Sequence, residues 1–567
     1  MPRHHHANDF HRCPGRQRGA ALMVMLVIMI MGSAAFLVSS LSRSALQIER
    51  DQKTADALAQ AKEALIGYAV TYADNYPLGN LPCPDTDNDG TSDAGGSTEC
   101  PQYIGRLPWK TIGLPDLRDA AGERLWYTLS RNVRRYASVR PINSETTGTL
   151  NITGTYSANN QIAIVFAPGA NVGSQSRSGS QTASCSTTRD TREENLCAAN
   201  YLEGSNANPS PGATPNQSYQ SSDTSISFND QFISISRDHF FQQIEKRVGN
   251  EIKNVLNTYY AAWGAYPFAA PFSDPSTSSF TGRASPSTYN GLLPVDDQSY
   301  VPTWNADPTS SFSGMSCARR SGYNSVANAR WRCESSSSPG SNFTIPAGMT
   351  VTITGRLNNV GLGFWRPHNV NNVCEVRARN SGGTTVLVTS LFAPNSVTVT
   401  NSLNSDGSAN IVFQATGKTG DTTLQRIEFR DILSYNSDIK NNGDKDLCPI
   451  TSATSPIVPK WLFSDATYGN NWHQLAYYAV SPGYAPGSSA CNPLPGTPSC
   501  LTVNGSGGGN NKRAVVVMAS AALAGQVHPS GALADYLEGE NATPADFIYE
   551  NKARSSTFND QVIIVAP

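Results

Sequence analysis

The residues best suited to chemistry stand between positions 85 and 93. Asp85-Thr86-Asp87-Asn88-Asp89-Gly90-Thr91-Ser92-Asp93 places carboxylates at alternate positions and a glycine where a sharp turn is needed. Such spacing wraps hard oxygen ligands around one cation, and calcium is the expected ion. Asp85, Asp87, Asp89 and Asp93 would supply side-chain oxygens and Thr91 its carbonyl. A cation would also relieve the repulsion among charges this close. Gly96 stands where a complete EF-hand loop carries a bidentate glutamate, so the ion's role would be structural, in a weak site suited to calcium-rich surroundings. A solvated acidic turn is the plainer alternative.

Other arrangements carry less. Phe228-Asn229-Asp230-Gln231 and Phe558-Asn559-Asp560-Gln561 each supply one aspartate beside a turn-forming asparagine and ahead of an apolar strand. They read as turns rather than as paired catalytic carboxylates. No Gly-x-Ser-x-Gly elbow is present. Gly417-Lys418-Thr419 imitates the end of a phosphate loop, but Val412 occupies the place of its first glycine. His239, His368, His473 and His528 lack metal-ligand spacing. Trp304, Trp331 and Trp365 could stack on sugar, although packing inside is the ordinary fate of such residues. An enzyme is not expected, and no catalytic residue is assigned.

These residues must be positioned by two or three domains, since the chain has 567 residues. Its net charge of -2 gives no basic excess to hold nucleic acid. The abundance of Ser, Thr, Asn, Gly and Pro suits strands, turns and polar loops. Beyond Cys13, ten cysteines remain as disulfide candidates: Cys83, Cys100, Cys185, Cys197, Cys317, Cys333, Cys374, Cys448, Cys491 and Cys500. An even number fits a disulfide framework, and no Cys-x-x-Cys pair suggests zinc or thioredoxin-like chemistry. Pairing in sequence order is the simplest connectivity. A Cys317–Cys448 link closing the base of an insert competes with it.

From Ala20 to Leu41 the chain carries no charge and is mostly Leu, Met, Val, Ile and Ala. As a helix it matches a bilayer core. Arg12, Arg16 and Arg18 precede it, which predicts a single pass of the inner membrane with the remaining chain in the periplasm. Leu58, Ala61, Leu65, Tyr68 and Tyr72 continue a helical face until Pro77. One helix from about Ala20 to Tyr76 is expected. A secretory signal cut near Ser33-Ala34-Ala35 and an uncleaved anchor are the alternatives.

The leader Arg16-Gln17-Arg18-Gly19, followed by Ala20-Ala21-Leu22-Met23-Val24, resembles type IV prepilins. The resemblance covers roughly the first sixty residues. It implies cleavage by prepilin peptidase between Gly19 and Ala20 and N-methylation of Ala20. It also implies packing against other pilins or pseudopilins through the helix, in an extracytoplasmic filament. Val24 stands where major pilins carry the glutamate that neutralises a neighbour's amino terminus. That departure resembles certain minor subunits, including the large minor pseudopilin at a filament tip. The function implied is a structural or tip subunit, a minor pilin of a type IV pilus or a pseudopilin of type II secretion, and an inserted domain would be the part to adhere to a surface glycan or touch a secreted substrate. The alternative is an anchored carbohydrate-binding protein outside any filament.

The rest of the chain repeats itself. Glu63-Ala64-Leu65-Ile66 and Asn75-Tyr76-Pro77 are echoed by Lys253-Asn254-Val255-Leu256 and Ala265-Tyr266-Pro267. Tyr103 to Pro108 matches Tyr289 to Pro294, Leu125-Trp126-Tyr127 matches Leu475-Ala476-Tyr477, and Gln161 to Phe166 matches Arg513 to Met518. Tyr201-Leu202-Glu203-Gly204 recurs as Tyr536-Leu537-Glu538-Gly539, and the Phe-Asn-Asp-Gln segments recur last. Short alternating strands between Cys317 and Cys448 suggest an inserted β-sandwich. The expected fold class is α+β: a pilin-like long N-terminal helix packed on an antiparallel sheet, duplicated, with an inserted all-β sandwich. The expected divisions are leader 1–19, helix 20–76, first domain 77–240, second repeat 241–316 and 449–567, and insert 317–448.

Overall fold

The computed structural model describes residues 18–567 apart from 72–77, 94–98, 135–140, most of 174–196, 208–217, 223–227, parts of 275–283, 295–302, most connections between 307 and 391, 418–421, 425, 431–461, 463–470, 489 and 493–499. Two α-helices are described. Helix α1 runs over Arg18–Thr71 and α2 over Arg237–Trp263. The boundaries of α2 follow from its ends. Ser236 caps the start by accepting from the His239 amide, and Asp238 sits in the positive first turn. Gly264, at φ +73°, closes the end with its N–H on the Tyr260 carbonyl at 2.8 Å. Ile244, Val248, Ile252, Val255 and Tyr259 are all buried, which realises the helical stripe written in the sequence.

The first sheet holds β1 (Ile104–Arg106), β2 (Trp126–Leu129), β3 (Leu150–Thr153), β4 (Ala158–Ala167), β5 (Ser218–Gln220) and β6 (Gln231–Ser236). Next comes β7 (Asn290–Leu292). The strands that follow are β8 (Thr303–Ala306), β9 (Met315–Arg319), β10 (Arg330–Ser335), β11 (Phe343–Ile345), β12 (Thr350–Leu357), β13 (Val376–Arg379), β14 (Thr385–Leu387), β15 (Phe392–Leu403), β16 (Ala409–Gly417), β17 (Thr422–Leu424) and β18 (Arg426–Arg430). The chain finishes with β19 (Ala476–Val480), β20 (Leu501–Gly505), β21 (Gly509–Lys512), β22 (Ala514–Met518), β23 (Ile548–Asn551) and β24 (Gln561–Ala566).

Two of these sheets repeat one topology. In the first, β1, β2, β4 and β6 lie side by side; in the last, β7, β19, β22 and β24 do so. The early part of β4 pairs with β3, which pairs in parallel with β5. In the second copy β21 pairs with β20, which pairs in parallel with β23. Between them β8 to β18 form their own antiparallel pairings, and β8 joins β12, so the inserted strands begin at Thr303.

The expected fold class is corrected. Strands outnumber helices among the described elements, and the first sheet contains a parallel pair and so is mixed rather than antiparallel, while in the second copy the parallel pair lies in a separate three-stranded sheet. The N-terminal helix does not lie along a sheet over most of its length. Only the last part of α1, where Thr54, Ala57, Leu58, Ala61, Leu65, Ile66 and Ala69 are buried, packs against β4, β6 and α2. Earlier, every side chain from Leu22 to Met31 is exposed, at 50–73%. The expected inner-membrane single pass is corrected too: among the described residues no helix is long and apolar enough to cross a membrane. Leader residues before Arg18, together with Tyr72 and Pro77, lie outside the described residues.

The repeats share one core. Helix α2 packs on β22 and β24 and also touches β4 and β6, so residues of both sheets bury around it. Close approach to β24 occurs at Gly249, where an added Cβ would stand 2.3 Å from Ile563 Cδ1 and 2.9 Å from its Cγ1. Gly67 on α1 has open space around its Cβ position. Gly249→Val should therefore cost about 1–3 kcal/mol by overpacking. Gly67→Ala should stabilise by roughly 0.4–1 kcal/mol by reducing unfolded-chain entropy. Urea unfolding of both variants checks this, and equal effects would refute the close contact.

Candidate functional site

The aspartate loop leaves the first sheet at its β1 edge. Asp85 and Arg106 form an isolated antiparallel bridge, with amide-to-carbonyl distances of 3.0 and 2.7 Å. That bridge draws Asp85 to 1% exposure. Its Oδ1 accepts from the Asn88 amide at 2.6 Å and its Oδ2 from the Gly90 amide at 2.7 Å. Asp87 Oδ1 accepts from the Asp89 amide at 3.1 Å, and Asp89 Oδ1 accepts from the Thr91 amide and hydroxyl at 2.6 and 2.7 Å. The chain thus curls around its own carboxylates. Asn88 at φ +65° and Gly90 at φ +89° supply the left-handed bends.

One oxygen from each of Asp85, Asp87 and Asp89 lies within 4.8 Å of the others, close enough for a single ion. Their donors are all carboxylate oxygens, the kind a hard divalent cation takes. Burial pushes Asp85 up to about 6 against the pull of the Gly90 and Asn88 amides, with the Asp93 and Asp87 charges adding to the rise. Hydrogen bonds from Thr91 hold Asp89 below the usual carboxylate range. Asp93 accepts from the amide and hydroxyl of Thr86 and is not one of the three clustered carboxylates. Two cations brace the loop from outside. Lys110 donates to the Asp89 carbonyl, and Arg124 donates to Asn88 O and Oδ1 at 2.9 and 2.8 Å while paired with Asp116.

Cys83 and Cys100 are joined and bracket this loop, and Cys491 is joined to Cys500. Cys197 is also disulfide-bonded. The register of β9 and β10 sets Cys317 opposite Cys333. Cys185, Cys374 and Cys448 lie outside the described residues. Gly19 and Ala20 fall within the first turn of α1.

The carboxylates that sequence reasoning missed are paired across the fold. Asp230 Oδ2 accepts from the Glu203 amide and from Asn206 Nδ2, both at 3.0 Å, while Glu203 Oε2 accepts from the amides of Asn229 and Asp230, also at 3.0 Å. In the second copy Asp560 Oδ2 accepts from the Glu538 amide at 2.9 Å and Asn541 Nδ2 at 3.0 Å. Glu538 Oε2 accepts from the amides of Asn559 and Asp560 at 2.9 and 3.2 Å. The Phe-Asn-Asp-Gln segments are therefore not free turns: each holds a buried aspartate tied to the loop that carries a glutamate. The available signal was the co-occurrence of Tyr-Leu-Glu-Gly and Phe-Asn-Asp-Gln in both copies.

Two histidines, His473 and His528, are held by contacts within the fold. Burial pushes His473 down to about 4, and its Nδ1 lies 3.0 Å from the Leu462 carbonyl. His528 Nδ1 lies 2.6 Å from Glu145 of the first repeat, with its ring stacked 4.1 Å from that of Tyr536. Trp126 and Tyr127 are core residues. Trp304 and Trp331 lie on β8 and β10, and His368 and Trp365 lie outside the described residues.

At Gly90 an added Cβ would stand 2.6 Å from Trp109 Nε1 and 2.7 Å from its Cε2. Gly90→Ala should combine that clash with a left-handed φ and destabilise the first repeat by about 1–3 kcal/mol. Thermal unfolding checks it, and an unchanged midpoint would show that the loop is not held against the indole.

No family model matches the chain, and neither a curated protein nor a solved structure matches it.

Proposed function

We propose that this chain is a minor subunit of a type IV pilus or type II secretion filament. The observation that carries the reading is the half-buried, half-bare helix α1. A helix that is apolar all round is a buried element, yet from Leu22 to Met31 none of the described residues covers it. The same helix is anchored in the first repeat from Thr54 onward. Such an arrangement is a handle for packing among helices of other pilins or pseudopilins. The Arg18-Gly19-Ala20 junction supports processing by prepilin peptidase and methylation of Ala20.

Val24 favours a minor role, because without a carboxylate there the helix makes no buried charge pair with a neighbour's amino terminus. Bulk favours the filament tip. Two repeats and an inserted set of strands present far more head than one helix requires, and we assign to the insert the contact with a surface glycan or a secreted substrate. Disulfides at Cys83–Cys100 and Cys491–Cys500 suit folding in an oxidising compartment. The Asp85, Asp87 and Asp89 cluster would hold calcium as a structural brace for the loop bracketed by the first disulfide.

Two measurements test these readings. After co-expression with a prepilin peptidase, the N-terminal peptide should begin at a methylated Ala20. An intact Met1 or Pro2 terminus would overturn the filament reading, and a cut near Ala35 would make the segment an ordinary secretory signal. For the loop, millimolar calcium should raise the unfolding midpoint, with about 2.7 kcal/mol expected at a hundredfold excess over Kd. Asp87→Asn combined with Asp89→Asn should abolish the rise. A midpoint insensitive to calcium and to chelator would leave the loop an acidic turn.

A further inference from the structure

Each repeat closes in the same way. The loop bearing Tyr-Leu-Glu-Gly is fixed to the residues that begin the last strand of that repeat, β6 or β24. Glutamine joins from a third element. Gln175 Nε2 donates to Glu203 Oε1 at 2.7 Å, and Gln526 Nε2 donates to Glu538 Oε1 at 2.9 Å. The asparagine of each loop is held at both ends. Asn206 Oδ1 accepts from the Gln220 amide on β5, and Asn541 Oδ1 accepts from the Glu550 amide on β23, each at 2.8 Å. Even the asparagine before each aspartate repeats its bond, with Nδ2 on the Ala170 or Ala521 carbonyl at 2.8 Å.

Within this frame every amide donor is spent on Oδ2 of the aspartate and on the glutamate. Oδ1 of Asp230 and of Asp560 is buried and accepts no hydrogen bond. Reciprocal amide bonds set each aspartate beside its glutamate: the Glu203 and Glu538 carboxylates accept from the amides of Asp230 and Asp560, whose own carboxylates accept from the amides of Glu203 and Glu538. A buried carboxylate beside a second carboxylate is repelled strongly, whereas one proton between the two makes a hydrogen bond and satisfies the orphan oxygen. We propose that each repeat is locked by a proton shared between two carboxyls, Glu203 with Asp230 and Glu538 with Asp560, and that losing this proton to solvent loosens the last strand of that repeat.

The surroundings leave the proton as the neutralising species. Near the first pair stand Arg177, which donates to Gln175 Oε1 at 2.9 Å and pairs with Glu123, and Asp119, which accepts from the Gly169 amide. Asp51 of α1 accepts from Gln231 at the start of β6. Near the second pair are the Tyr477 phenol and, beyond Asn559, the Arg554–Glu245 ion pair bridged by Ser520. Each of these cations already faces another partner. Burial, with the glutamate's charge, raises Asp230 to about 8 and raises the more deeply buried Asp560 as well.

The sign follows from linkage. A carboxyl raised in the folded state contributes stability fully below its ordinary value of 3.8, and that contribution is lost as pH climbs to the folded value. Above that value the loss is complete and the profile levels. The first lock should thus weaken by up to about tenfold per pH unit from about 4 toward 8.

Hydrogen-exchange protection, corrected for intrinsic rates, tests this in the full chain with Asp230→Asn and Asp560→Asn. Asparagine carries the donor permanently. Protection of β6 in the wild type should fall over that pH range, while Asp230→Asn should match it at pH 4 and exceed it several-fold at pH 8. Asp560→Asn should do the same for β24. Should either variant fail to fold, infrared spectra of the wild type with labelled aspartate decide the matter. A protonated carboxyl band persisting at neutral pH supports the lock. Ordinary titration of all aspartates near 4, or variants that lose protection equally at every pH, would overturn it.

Discussion

The carboxylate of Glu245 is the interaction on which the two repeats depend. It sits on α2 with 1% of its side chain exposed, and it reaches into both copies. From the first repeat Ser144 Oγ donates to Oε1 at 2.5 Å; from the second, Ser520 Oγ lies 2.9 Å from each oxygen and Arg554 pairs with Oε2. Burial raises this carboxyl, while Arg554 and the two hydroxyls favour its charged form. A buried ion pair gives little net stability, but removing one member leaves a charge stranded, at roughly 3–5 kcal/mol. Glu245 therefore acts less as an adhesive than as a register pin. It permits one docking of α2 between the sheets and penalises any other.

Around that pin the copies preserve bonds more faithfully than residues. Tyr127 Oη donates to the Pro82 carbonyl at 3.2 Å, and Tyr478 Oη donates to the Pro267 carbonyl at 3.0 Å. Gly105 lies opposite Tyr127, and Gly291 lies opposite Tyr478. The strand neighbours differ freely: Trp126 stands where the second copy has Tyr477. What persists are polar groups that burial obliges to find partners. What varies is apolar volume, which a core tolerates if the total is kept.

This contrast explains what could be read in advance. The face of α2 was legible because five apolar residues recur at helical spacing and tertiary packing uses them all. Order of the echoes was legible, but their register was not. Matching Leu125-Trp126-Tyr127 to Leu475-Ala476-Tyr477 places Tyr127 against Tyr477, whereas the sheet aligns it with Tyr478. A slip of one residue turns every side chain to the opposite face, and two adjacent tyrosines hide it. Likewise Pro267 corresponds to Pro82, not to Pro77. The aspartate loop could be read because its partners are local. Glu203 and Asp230 could not, because their pairing is made by β6 returning beside β4, a contact that no local spacing records. The apolar run in α1 fixed a helix but not its surroundings, since hydropathy states what a segment avoids and not what covers it.

The two copies differ most at one edge, and topology gives the reason. Strands β1 and β7 are the outer strands of their four-stranded arrays. Asp85 bridges Arg106 beside β1, and Ala270 bridges Leu292 beside β7 in the same antiparallel manner. Asp85 thus begins a cation-sized acidic curl where the second copy has an alanine and no charge. The inserted strands leave the second copy just after β7, where the first copy has the connection from Arg106 to Trp126. Both elaborations hang from the edge whose outer backbone groups are least committed to the core, so length and charge can be added there at small cost. At the opposite edge β6 and β24 carry the acid pairs, and there the copies agree bond for bond. An insertion at that edge would separate a buried aspartate from its glutamate and leave both unsatisfied. The repeat therefore varies at the edge where polar groups can reach water and keeps its form at the edge where they cannot.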